Sequence, residues 1–165
     1  MMMSTLSRLC VVALYIAVGS AQASDLHALW DGQCGGCHGH AGDFARQALD
    51  LRDGVVFGRA SGQKLDDFLV RHNGGYSPAQ IAALADMLAG QMGRGPEFRT
   101  HCGGCHDNAA QLVRDWVVRR DGVLVGLASG QPLADFLHRH GGADEVSRTQ
   151  IIESLNQIET EINHR

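Results

Sequence analysis

The pentapeptide Cys34-Gly35-Gly36-Cys37-His38 recurs as Cys102-Gly103-Gly104-Cys105-His106, and no other feature constrains the fold as strongly. A C-x-x-C-H run is the attachment signature of c-type haem. Its two thiols add across the vinyl groups of one haem, and the histidine that follows is placed to ligate the iron. A zinc site would set its C-x-x-C pairs about 15–20 residues apart, whereas 64 residues separate Cys37 from Cys102. A thioredoxin-like dithiol would sit beside a βαβ pattern, and none is legible here. The motif therefore predicts two covalently attached haem c groups. Cys34, Cys37, Cys102 and Cys105 anchor them, and His38 and His106 are the proximal iron ligands.

The motif belongs to a larger duplication. A shift of 68 residues lays Arg120-Asp121-Gly122-Val123 on Arg52-Asp53-Gly54-Val55, and Ala128-Ser129-Gly130-Gln131 on Ala60-Ser61-Gly62-Gln63. Asp135-Phe136-Leu137 falls on Asp67-Phe68-Leu69, and Arg139-His140 on Arg71-His72. After a two-residue insertion, Ser147 and Gln150-Ile151 fall on Ser77 and Gln80-Ile81. The sequence thus reads as two haem-binding units, 24–92 and 93–165, with a seam over the glycine-rich stretch Gly90 to Pro96.

Each unit reads as mainly α with one short β-hairpin. A helix from about Asp25 to Cys34 leads into the first motif, with Leu26, Leu29 and Trp30 at helical spacing. In the second unit Pro96 suits a first helical turn and Phe98 takes the place of Trp30. Asp53-Gly54 lies between the short apolar runs of 49–57 and predicts a tight primed turn; Asp121-Gly122 repeats it within 116–125. A helix follows over Leu65 to His72, stopped by Gly74 and Gly75. The last helix opens on a capping box, Ser77 with Gln80 and again Ser147 with Gln150. Its apolar face carries Ile81, Leu84, Ala85 and Leu88. Units this small build little core unaided, so covalent haem is expected to complete it.

Residues 1–23 read as an export signal: Arg8, the apolar run Leu9 to Val18, then Gly19-Ser20-Ala21-Gln22-Ala23, an A-x-A cleavage site. The apolar run is ten residues, short of the roughly 20 that span a bilayer. Cleavage would leave Ser24 first, place the chain in the periplasm and remove Cys10. No cysteine outside the haem motifs would then remain for a structural disulfide. Cys10 lies too early in the run to be the lipid-modified cysteine of a lipoprotein. The whole chain has 14 Lys and Arg against 18 Asp and Glu; without Arg8 the count is 13 against 18, or −5. Lys64 is the only lysine. That balance offers no footprint for nucleic acid and no lysine ring for an acidic partner.

The distal ligands decide the chemistry, since a methionine raises the potential and an open position invites small ligands. Beyond residue 23 the methionines are Met87 and Met92, both in the first unit. Leu65, Phe68, Leu69 and His72 form an i, i+3, i+4, i+7 stripe, reproduced by Leu133, Phe136, Leu137 and His140. His72 and His140 are therefore the expected distal ligands, with helix C-capping as the structural alternative. Met87 or Met92 is the rival at the first haem, and His138 a rival off the stripe at the second. His40 and His101 lie too near the motifs to reach the far haem face. His27 and His164 read as surface residues, and Trp30 and Trp116 as packing residues. Arg71 and Arg139 suit haem propionates or solvated helix ends.

In these residues the chain resembles the class I cytochromes c, and more narrowly the tandem two-domain dihaem cytochromes c of bacterial periplasms. The resemblance implies two small cytochrome c-like domains, each a helix, C-x-x-C-H and a terminal helix. It implies a soluble electron carrier serving redox partner proteins such as a membrane complex, reductase or dehydrogenase. Those families place a distal methionine in a loop before the last helix, where this chain has His72 and His140. A small dihaem redox enzyme, peroxidase-like or acting on sulfur compounds, and a diatomic gas-binding module are the competing readings.

Overall fold

The computed structural model describes residues 25–72 and 75–163. The proposed export signal, Gly74 and His164 lie outside them. The architecture is mainly helical, with two small antiparallel hairpins.

The first unit contributes α1 (Leu26–Gln33), α2 (Gly35–His38), α3 (Ala41–Ala48), β1 (Leu49–Arg52), β2 (Val55–Gly58), α4 (Leu65–Leu69) and α5 (Pro78–Met92). The second contributes α6 (Glu97–Cys102), α7 (Ala109–Trp116), β3 (Val117–Arg120), β4 (Val123–Gly126), α8 (Leu133–Leu137) and α9 (Glu145–Asn163). Among the described residues, no helix is long and apolar enough to cross a membrane.

The hairpins form as the Asp-Gly signal requires. Arg52 pairs with Val55 and Arg120 with Val123. The two turn residues take positive φ in each copy: Asp53 +49° and Gly54 +77°, Asp121 +48° and Gly122 +81°. That is a primed turn, whose twist matches the strands it joins.

Each unit closes its own core. Leu26, Trp30, Ala45, Leu49, Leu65, Ile81, Leu84, Met87 and Leu88 are buried together in the first. Val113, Val117, Leu124, Leu133, Leu137, Ile151, Leu155 and Ile158 are buried together in the second. In both units the terminal helix, α5 or α9, packs against the helix that follows the motif, α3 or α7.

Several boundaries differ from the sequence reading. The seam is shorter, because α5 continues through Gly90 to Met92. Glycine at position 90 makes room for the seam: a Cβ there would lie 2.7 Å from the Arg94 guanidinium. The helix expected to reach His72 stops at Leu69, and a further turn carries the chain on, with the His72 N–H donating to Phe68 O at 2.9 Å. The capping box at Ser77 and Gln80 is present. Its counterpart at Ser147 is not, because Asp144 accepts from the Ser147 N–H at 2.8 Å and α9 starts three residues earlier, leaving Ser147 buried. Asp144 is the better cap, since a carboxylate both accepts that bond and complements the helix dipole.

The units meet through reciprocal contacts. Asn108 at the start of α7 donates to Asp31 on α1 at 3.2 Å, while Arg99 on α6 pairs with Asp43 on α3 at 3.6 Å. Arg114 on α7 holds Asp25, the cap of α1, with a two-pronged contact of 2.6 and 3.1 Å. Its repeat counterpart Arg46 donates to Arg94 O at 3.4 Å. Each unit thus contacts the first helix of the other, α7 reaching α1 through Asn108 and Arg114 and α3 reaching α6 through Asp43.

Candidate functional site

Both C-x-x-C-H runs fold into the same turn. The N–H of Cys37 and of His38 donate to Cys34 O at 3.1 and 2.9 Å, and those of Cys105 and His106 to Cys102 O at 3.0 and 2.9 Å. All four thiols are free; Cys34 and Cys102 are half-buried, Cys37 and Cys105 exposed. Burial pushes the Cys34 thiol up, against a weaker downward pull from Tyr76, and burial likewise pushes Cys102 up. A dithiol nucleophile needs the opposite shift, towards thiolate.

Each turn opens on an apolar cavity. The first has a volume of about 620 Å³, and its lining includes Cys34, Cys37, His38, Leu65, Phe68 and His72. The second has a volume of about 370 Å³, and its lining includes Cys102, His106, Leu133, Phe136, Leu137 and His140. Cys105 stands outside that lining. The cysteine pairs therefore serve separate cavities, and among the described residues no group of three or more His, Cys, Asp or Glu converges on one point. A four-ligand zinc cage is not formed.

Across each cavity the motif histidine faces the matched histidine of the helical stripe. The ring centres of His38 and His72 are 6.0 Å apart with planes at 58°; those of His106 and His140 are 6.2 Å apart at 53°. His72 lies on Phe68, stacked at 4.5 Å, and His140 on Phe136 at 4.6 Å.

The motif-histidine sides differ. The edge of Phe44 meets His38 at 4.7 Å and Trp30 lies behind both, with its Nε1 donating to Gly39 O at 2.8 Å. Leu112 and Phe98 hold the equivalent places in the second cavity.

The methionines are elsewhere. Met87 is buried in the core of the first unit and Met92 packs at its edge; neither lines the cavity of His38. His138 is exposed at the end of α8, and His40 caps α3 with its ring exposed. His101 lies 3.5 Å from Glu97 on its own helix. Arg71 and Arg139 are exposed and line neither cavity.

Two sequence expectations are corrected here. His27 is buried, paired with Glu161 of the other unit. Trp116 is 63% exposed at the second cavity, where Ala48 stands in the first.

The sequence reading missed Phe44, and it missed that the repeated loop matters: Ala60, Ser61 and Gln63 line one cavity and Ala128, Ser129 and Gln131 the other. The identity of that tetrapeptide between units was the available signal.

Comparison with protein-family models, curated proteins and solved structures gives no match.

Proposed function

We propose that the protein is an exported, periplasmic dihaem c-type cytochrome that carries electrons, with histidine on both axial faces of each iron. The observation that carries this is the pairing, twice over, of a motif histidine with a matched histidine across an apolar cavity, lined by Cys34 and Cys37 in the first unit and by Cys102 in the second. Two imidazoles held by ring nitrogens at about 2 Å from one metal ion have ring centres roughly 6 Å apart. The separations of 6.0 and 6.2 Å fit that requirement. Both cavities fall in or near the roughly 300–1,000 Å³ range of cofactor sites, with apolar walls suited to a macrocycle.

Haem c supplies a one-electron iron couple when bound. Cys34 and Cys37 would tether the first, Cys102 and Cys105 the second. His38 and His106 would hold the proximal faces. His72 and His140 would close the distal faces, leaving no position for a substrate. The apolar side chains around them would hold the polarity of the site low. Electrons would pass at the open cavity mouths to redox partner proteins, with no bond made or broken.

The test is expression with a periplasmic haem-attachment system, followed by haem staining of the denatured chain and optical and EPR spectra of the ferric protein. Two covalent haems, both low-spin with two histidines and inert to carbon monoxide when reduced, are expected. Absence of covalent haem would sink the proposal, and a high-spin or methionine-ligated signal would sink the axial assignment.

A further inference from the structure

We propose that Phe68 and Phe136 are positioning residues that set the plane of the distal imidazoles; this rests on reading His72 and His140 as distal ligands. In each unit the phenylalanine stands four residues before the histidine, and its ring is laid on the imidazole. The centres are 4.5 Å apart with planes at 25° in the first unit, and 4.6 Å at 30° in the second.

Core packing does not account for these rings. Leu65 and Leu69, and Leu133 and Leu137, are the buried residues of α4 and α8, whereas Phe68 and Phe136 are 37% and 40% exposed. Each histidine lies just past its helix, since α4 ends at Leu69 and α8 at Leu137, and the turn that follows sets its backbone, with the His72 N–H donating to Phe68 O at 2.9 Å, while leaving the plane of its ring free. Among the described residues, the stacked phenylalanine is the ring closest to each imidazole and fixes its plane.

The two units differ on the proximal side and agree on the distal one. Trp30 and Phe44 surround His38, while Phe98 and Leu112 hold the matching places beside His106. The planes of the facing histidines nevertheless make nearly the same angle, 58° and 53°. The stacked phenylalanine is common to both, and it is the shared cavity residue whose ring lies on the imidazole. The angle between two axial imidazole planes sets which iron d orbitals receive their π electrons, and so the g-anisotropy of the ferric low-spin state. Phe68 and Phe136 thereby give the two irons matched axial electronics in unlike cavities.

The experiment is EPR of the full-length, haem-loaded chain and of Phe68→Leu, Phe136→Leu and Phe68→Tyr. Leucine fills much of the space without a ring; tyrosine keeps the stack. Each leucine variant is expected to shift the g values of one haem and leave the other as an internal control, with tyrosine matching the unsubstituted protein. Unchanged g values in both leucine variants would overturn the inference while leaving bis-histidine ligation standing. A signal other than bis-histidine low-spin before any substitution would overturn the functional reading, and this inference with it. Should Phe68→Leu fail to load its haem, Phe136→Leu decides the question in the other unit.

Discussion

His27 Nε2 donates to Glu161 Oε2 at 2.7 Å, joining α1 of the first unit to α9 of the second across 134 residues of sequence. Both side chains are 7% exposed. Arg94, from the seam, donates to the other carboxylate oxygen at 2.8 Å. Glu161→Ala would leave the buried His27 and the half-buried Arg94 without their acceptor, and breaking a buried pair in this way costs about 3–5 kcal/mol. A denaturant titration of the haem-loaded protein should show that loss as a lower midpoint. Glu161→Gln, which keeps an acceptor, should lose less. Equal stability of all three proteins would show that the contact does not hold the units together.

The same carboxylate makes stability depend on pH. Burial acts to raise Glu161, but the hydrogen bonds from His27 and Arg94 outweigh it and hold the group below the ordinary glutamate range. Asp25 is also held low: burial raises it, while Arg114 and the Ala28 N–H lower it further. A group depressed in the folded state contributes stability that is fully present above its unfolded value, about 4.3 for Glu and 3.9 for Asp. That stability is lost as pH falls through the folded value. Unfolding free energy should therefore fall on acidification below about pH 4.3. Glu161→Gln should make this limb shallower. An identical acid limb in the variant would remove Glu161 from the account.

The features legible in the sequence were those present twice. The Asp-Gly turns, the stripe ending in His72 and His140, and the motif turns each announced themselves by repetition and local chemistry. The tie between the units was illegible for the same reason. His27 falls on Gly95 under the 68-residue shift, Asp25 on Gly93, and Glu161 on Gln91 once the insertion is counted. These three residues lack a like counterpart, so comparison of the halves discards them, and a lone histidine reads as surface. The early start of α9 was hidden by a good local signal, the Ser147–Gln150 box, which lost to the Asp144 carboxylate.

Met87 separates core from ligand. It is 2% exposed within the first core and does not line the cavity of His38. Met87→Leu, a near volume-conserving exchange, should cost less than about 1.5 kcal/mol. It should leave the optical and EPR spectra unchanged. Loss of a methionine-type charge-transfer band or a change of spin state in this variant would assign Met87 to the iron.

Withholding the proposed haems should cost most of the cooperativity. Each unit surrounds an apolar cavity, about 620 and 370 Å³, and each is small enough that its own core supplies little stability. A chain produced without haem attachment should lack a sharp thermal transition and bind dyes that report exposed apolar surface. A cooperative transition in the haem-free chain would show that the helices and hairpins close without it.

His72 and His140 carry the decisive pair of substitutions. Both are exposed and stand outside the cores, so His72→Ala and His140→Ala should change stability of the polypeptide scaffold by no more than about 0.5 kcal/mol apart from ligation. Each removes the imidazole that faces a motif histidine, at 6.0 Å in the first unit and 6.2 Å in the second. An iron that loses one axial nitrogen opens a position to small ligands. The reduced variants should each bind carbon monoxide at a single haem, and the double variant at both, while the unsubstituted protein binds none. His138→Ala, off the cavity, should behave as the unsubstituted protein does. Carbon monoxide binding to the unsubstituted protein would instead point to an open or labile distal face, the property of a sensor or an enzyme.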